Sequence, residues 1–182
     1  MRDMHEKQKL LKESEISLVL DDYDAIFSDF DPRPFSERAL SDDFLLEAKK
    51  ASRDKEFGNI QLKFLMPQGK RSTATESTIK KRLHEHFKKH YHRLRNEMGG
   101  IIKKGIVFTI IGIVLMFIAS YILLKESEKT LMISFLIILL EPAGWFLFWE
   151  GLGQVIFEAK KKKPDLEFYE KMAKSEMEFF PY

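Results

Sequence analysis

The stretch Gly105 to Leu124, GIVFTIIGIVLMFIASYILL, carries 20 residues without a charge. As an α-helix it would be roughly 30 Å long, the thickness of a bilayer's hydrocarbon core. A chain of 182 residues offers no domain large enough to enclose a helix that is apolar on every side. A transmembrane helix over 104–124 is therefore expected. After a short loop at 125–130, KESEKT, a second apolar stretch runs LMISFLIILLEPAGWFLFW from Leu131 to Trp149. Glu141 and Pro142 interrupt it, and its apolar character continues thinly through GLGQVIF. The second span is placed at 131–150, with a lower end that can extend to 157. Overall, 45% hydrophobic and 32% charged residues would suit a soluble protein, but the average hides this segregation.

Cationic residues near the spans set the expected orientation. Lys88, Lys89, Arg93, Arg95, Lys103 and Lys104 precede the first span, and Lys160 to Lys163, Lys171 and Lys174 follow the second. The loop between the spans holds only Lys125 and Lys129. Both termini are expected in the cytoplasm and the loop outside, in a multi-pass plasma-membrane protein. Tyr121 and Trp149 suit an interfacial aromatic belt. MRDMHEKQKLLKESE lacks an apolar core, so no cleavable signal peptide is expected and the first span would act as its own insertion signal. A net charge of +2 gives no basic face for nucleic acid. The absence of cysteine leaves no disulfide framework and no thiolate metal site.

The expected fold class is a predominantly α membrane protein, a two-span helical hairpin attached to a small N-terminal α/β (α+β) cytoplasmic domain. Residues 1–14 read as a charged helix or frayed tail, 15–103 as the domain ending in a long helix, and 158–182 as an amphipathic cytoplasmic tail. Ile16 to Leu20 is a strand candidate, and Ile60 to Met66 alternates apolar and polar residues as a half-buried strand does. Tyr23, Ile26, Phe27 and Phe30 share one helical face, which predicts a helix over 22–30 stopped by Asp31-Pro32-Arg33-Pro34. Ser41 with Asp42 and Asp43 reads as a helix start. Thr73 and Glu76 have capping-box spacing and open the long helix. Phe87, Tyr91, Leu94, Met98 and Ile101 form a heptad-like seam that continues as Gly105, Phe108, Gly112, Leu115 and Ala119 inside the first span. Small residues at such spacing let helices approach closely. The seam predicts either self-association or packing against the small domain. Pro164 and Asp165 are expected to start a last helix with Leu166, Tyr169, Met172 and Ala173 on its apolar face.

Among chemistry-bearing residues, Glu141 stands out. It lies near the middle of the second span, where a charge costs about 2.5–3.5 kcal/mol on insertion scales. It must be neutralised, paired or facing a polar cavity. Pro142 removes a backbone donor and Gly144 permits close approach. Glu141, Pro142 and Gly144 together predict a kinked polar break of the kind that lines ion or substrate sites. The alternatives are a protonated Glu141 bonded to a neighbouring helix, or a span shifted so that Glu141 nears the outer surface. Glu141-Pro142 followed by Trp145 in a two-span hairpin resembles the calcium uniporter pore family, whose two ends also share one side. The sequence departs from that family just before the pair, where its tryptophan and aspartate are replaced by isoleucine and leucine residues. The pair also sits deeper in the second apolar segment than in that family, and a ring of Glu141 carboxylates in an oligomer is a physically allowed pore.

Asp21, Asp22, Asp24, Asp29 and Asp31 crowd together and could hold Mg²⁺ or Ca²⁺, but they lack the EF-hand spacing and glycine. They read more simply as helix caps on an acidic face. His86 and His90 have the i, i+4 spacing of zinc ligands, while His84 and His92 point elsewhere. A solvated basic face that titrates, or that meets anionic lipid heads, is the simpler reading. With no Walker-A loop, GxGxxG or nucleophile elbow, no catalytic, cofactor or metal residue is assigned. The expected function is a membrane-anchored interaction or regulatory module, with the lipid bilayer, a cytoplasmic protein and a second copy of the chain as candidate partners. The alternatives are an oligomeric channel or transporter-like subunit using Glu141, and an anchored metal-dependent enzyme using Asp21–Asp31.

Overall fold

The computed structural model describes residues 15–53, 55, 60–125 and 130–182. The readings made for residues 1–14, and for most of the loop between the apolar helices, lie outside these. The protein is 72% helical, with two helices long and apolar enough to cross a membrane and one small three-stranded sheet. The strands are β1 (Glu15–Val19), β2 (Gln61–Met66) and β3 (Glu176–Pro181), all parallel, in the order β1-β2-β3. Helix α1 (Asp42–Ser52) lies between β1 and β2. Between β2 and β3 run α2 (Thr73–Lys125), α3 (Leu131–Gly153), a π-helical turn (Gln154–Glu158) and α4 (Ala159–Lys174). The chain forms two compact units, Met1–His92 with Asp165–Tyr182, and Arg93–Pro164.

The first unit is a sheet covered on one face. Parallel neighbours need crossover connections. Right-handed crossovers that advance in one direction across a sheet lay their helices on the same side. The core accordingly combines Ile16, Leu62, Phe64, Met66 and Phe179 of the strands with Phe44 and Ala48 of α1, Ile79, Leu83 and Phe87 of α2, and Phe168 and Met172 of α4. Phe64 and Phe87 are fully buried, and truncating such a residue to alanine costs about 3–5 kcal/mol. Lys171 of α4 donates to the Ser52 carbonyl at 3.2 Å and the Lys55 carbonyl at 2.5 Å, tying α4 to the C-terminal end of α1 and the chain just beyond it. Lys49 of α1 also forms an ion pair with Asp165.

Residues 165–182 thus differ from the expected tail: they supply a helix face and an edge strand to the domain. A domain ending at 103 would lack both. Helix α4 starts at Ala159, continuing from the π turn, and contains Pro164 instead of starting there. The expected helix over 22–30 is reduced to a 3-10 turn at Asp24–Ile26. Asp22 Oδ1 accepts from the Ala25 amide at 3.3 Å, and a Phe27–Leu40 bridge draws the chain into extended form. Tyr23, Ile26 and Phe27 are buried as that face predicted, whereas Phe30 is 98% exposed. At the start of α2 the capping residue is Ser72: its carbonyl accepts from the Glu76 amide at 2.9 Å, and its Oγ lies 3.4 Å from the Thr75 amide. Glu76 turns instead to Arg71 and Tyr23.

The second unit is an antiparallel pair, α2 from Arg93 onward against α3, joined by a glycine seam. A methyl group on Gly112 would lie 2.5 Å from the Phe148 nitrogen and 2.6 Å from the Gly144 carbonyl oxygen. One on Gly105 would lie 2.7 Å from the Gly151 carbonyl oxygen. One heptad beyond Gly112 and one before Gly144, Ala119 and Ile137 are buried. The heptad-like positions in the first apolar helix are therefore occupied by the second apolar helix of the same chain. Phe117, Leu131, Met132 and Ile138 point outward.

Replacing Gly112 with leucine should separate α2 from α3, whereas Gly99→Ala and Gly100→Ala, with open space around them, should strengthen α2 by about 0.5–1 kcal/mol each. The check is the rate of disulfide trapping between cysteines placed at Ala119 and Ile137 in a chain that has no other cysteine. Equal trapping with and without Gly112→Leu would contradict this packing.

Candidate functional site

Glu141 sits at the middle of α3, with ten residues before it and twelve after it in Leu131–Gly153. Its carboxylate is exposed, and no hydrogen bond or ion pair to it occurs among the described residues. Pro142 is exposed beside it. The helix nevertheless runs through this point without a break, in contrast to the predicted polar interruption. Proline costs the Ile138 carbonyl its donor, but the flanking turns remain helical. Gly144 lies on a different face of the helix from Glu141. It is buried against Met116 and Gly112, a packing residue, while Glu141 faces away from the protein.

A polar groove of about 610 Å³ in the same unit escaped prediction. It is lined by Glu97, Gly100, Ile101 and Lys104 of α2, and by Glu150, Gln154, Glu158 and Lys162 on the facing segment. Lys162 bridges to Glu97 at 2.8 Å, and Gln154 donates to Glu150 at 2.9 Å. Lys162, then Arg93, lowers the Glu97 pKa. The signal was the spacing of four from Glu150 through Gln154 and Glu158 to Lys162, which the apolar context masked.

The aspartates do not converge. Arg38 binds Asp24 at 2.6 Å and Arg33 binds Asp31 at 2.7 Å, and Arg33 holds the Asp31 carboxyl well below the usual carboxylate range. Asp31 also accepts from the Ala39 amide at 2.7 Å, so it organises the turn. Among the described residues, no three His, Cys, Asp or Glu side chains are placed to share a metal.

Of the histidines, His86 and His90 do meet, with ring centroids 4.3 Å apart, and Tyr169 of α4 stacks on His90 at 5.2 Å. His84 and His92 are exposed. The His86 Nε2 is buried without a hydrogen-bond partner. Burial, followed by His90, Arg82 and Lys89, pushes the His86 pKa down to about 4. A second buried polar cluster ties the N-terminus of α2 to the Tyr23 turn. Arg71 donates to Glu76 through Nε at 2.8 Å and Nη2 at 3.1 Å. The Tyr23 hydroxyl accepts from the Ser72 amide at 2.7 Å and donates to Glu76 at 3.2 Å. The hydrogen bond from Arg71 lowers the Glu76 pKa against the opposing effect of burial.

Compared with protein-family models, curated proteins and solved structures, the chain matches none. The resemblance around Glu141, Pro142 and Trp145 rests on those residues alone.

The shifts in these two clusters predict that the first unit loses stability in acid. His86 binds protons more readily in the unfolded chain, so its contribution is complete above about 6.5 and is lost as pH falls toward about 4. Glu76 acts at lower pH: its contribution is present above the ordinary value of 4.5 and declines as pH falls through its depressed pKa. The melting temperature in nanodiscs should fall between pH 6.5 and 4.5, and His86→Leu should flatten that part of the profile. A flat profile for the unaltered protein across that interval would refute the assignment.

Proposed function

We propose that this chain is a membrane-anchored interaction module, with α3 and the apolar half of α2 crossing the bilayer and the α/β unit on the cytoplasmic side. The topology of the sheet carries the reading. β2 precedes the apolar hairpin and β3 follows it, yet the two are paired neighbours, Gln61 opposite Glu176 through Met66 opposite Pro181. A hairpin whose two flanks belong to one sheet must leave and return on the same side. The cations on both flanks then assign that side to the cytoplasm. Outward-facing apolar residues on both helices are what a lipid environment accepts and water does not.

Single cysteines test the arrangement. Ser36→Cys in the α/β unit should react with an impermeant maleimide only after cells are permeabilised. Thr130→Cys, just before α3, should react in intact cells. Equal labelling of both positions in intact cells would overturn the topology.

The exposed, unpartnered carboxylate of Glu141 favours one second reading, a subunit of an oligomeric pore. An ionisable group in mid-span is a functional candidate because of its cost. Ion flux into proteoliposomes that is abolished in Glu141→Gln, with the oligomer intact, is the result expected from a pore. Absence of flux in the unaltered protein would leave Glu141 as a helix-packing or lipid-facing group.

A further inference from the structure

The two edges of the sheet are built differently. β3 carries Glu176, Glu178 and Pro181, and charge and proline at an edge block the addition of another strand. β1 has neither from Ile16 through Val19. The Leu20 amide donates to the Leu65 carbonyl at 2.8 Å. By the alternation of a parallel ladder, the amides and carbonyls of Ser17 and Val19 therefore point away from β2. Neither residue has a backbone hydrogen bond to another described residue on that side. Val19 is 67% exposed.

Beside this edge lies a groove of about 370 Å³, lined by Ser17 to Leu20, Ala25, and Asp43, Phe44 and Glu47 of α1. It has the parts for an added strand: backbone donors and acceptors along one wall that have no partner among the described residues, and an apolar floor at Phe44, Leu18 and Leu20. Its charged groups are both acidic. Among the described residues, Glu47 pairs with Lys50 on its own helix, at 2.7 Å, and Asp43 has no ion pair. A second copy of β1 pairing here would bring the carboxylates of the two copies toward each other, which charge repulsion opposes.

We infer that the β1 edge and its α1 groove bind an extended, lysine- or arginine-bearing segment of a partner protein by strand addition. Main-chain bonds to Ser17 and Val19 supply affinity, and Asp43, Glu47 and Phe44 select alternate side chains of the segment. The inference rests on the reading of the α/β unit as an interaction module and names the chemistry of its partner.

The test uses the full chain in nanodiscs of zwitterionic lipid and a fluorescent, end-blocked hexapeptide alternating lysine and valine. Fluorescence anisotropy should show saturable binding, and amide exchange should slow at Ser17 and Val19. The same peptide N-methylated at alternate residues keeps its charge but loses its donors. It should bind about tenfold more weakly or worse, as should a glutamate–valine peptide. Asp43→Asn with Glu47→Gln should weaken the parent peptide several-fold in a protein that still melts cooperatively, whereas Asp42→Asn, which removes an acid of the same first turn outside the groove, should leave peptide binding unchanged. Equal binding of the N-methylated or acidic peptide would overturn the inference. So would disulfide-linked dimers forming readily through Ser17→Cys, which would give the edge to a second copy. Loss of peptide binding with the expected cysteine topology would remove only the edge assignment. A failed topology with peptide binding intact would remove only the anchoring.

Discussion

The pairing of β3 with β2 is the contact on which the other features depend. Without it, β2 would be an edge, and Phe168, Met172 and Phe179 would be lost from a core that has no second sheet face to draw on. The pairing also fixes the topology. A parallel partner cannot be reached by a tight turn, and in this chain the obligatory crossover contains the apolar hairpin. One set of backbone hydrogen bonds thus sets the sheet register and joins the segments that precede and follow the hairpin.

Within the hairpin, a different force decides. Two helices apolar on every side have no polar pattern to set their register, and close backbone contact between small residues sets it instead. Gly105 and Gly112 on α2 meet Gly151 and Gly144 on α3, seven residues apart on each helix. That choice leaves bulky residues outward and Glu141 on the exposed surface. The glycines of the heptad-like seam, expected to serve either self-association or packing against the small domain, contact the second apolar helix of the same chain.

Much of this was legible where the pattern was long. The uncharged run from Gly105 to Leu124 and the alternation of Leu62, Phe64 and Met66 each state one period over enough residues, and the acidic pair Asp42 and Asp43 marks the start of α1 by itself. The small third strand was not. Glu176, Met177, Glu178 and Phe179 do alternate, but the signal is four residues long and ends in proline after a lysine-rich helix. The Tyr23 to Phe30 face failed because local bonds of Asp22 and the Phe27–Leu40 bridge outweighed a helix of marginal length. The acidic cluster was ambiguous for another reason: Arg38, which holds Asp24, is outside any short motif and is brought in by the fold. At Glu141 the residue could be picked out from its context, but its outward direction depends on which face the glycines claim.

The chain order has a kinetic consequence. The core cannot close until Asp165–Tyr182 is available, because those residues carry one edge strand and part of the helical layer. A flexible connection of that length would make closure entropically costly. The hairpin reduces the cost if it forms first: Lys162 bridges to Glu97 at 2.8 Å, so the two ends of the second unit lie together once its helices pack. The effective loop between β2 and β3 then shrinks to the first turns of α2 and the length of α4. The glycine seam thereby bears on closure of the sheet as well as on the hairpin, since it shortens the chain that pairing of β2 with β3 must close.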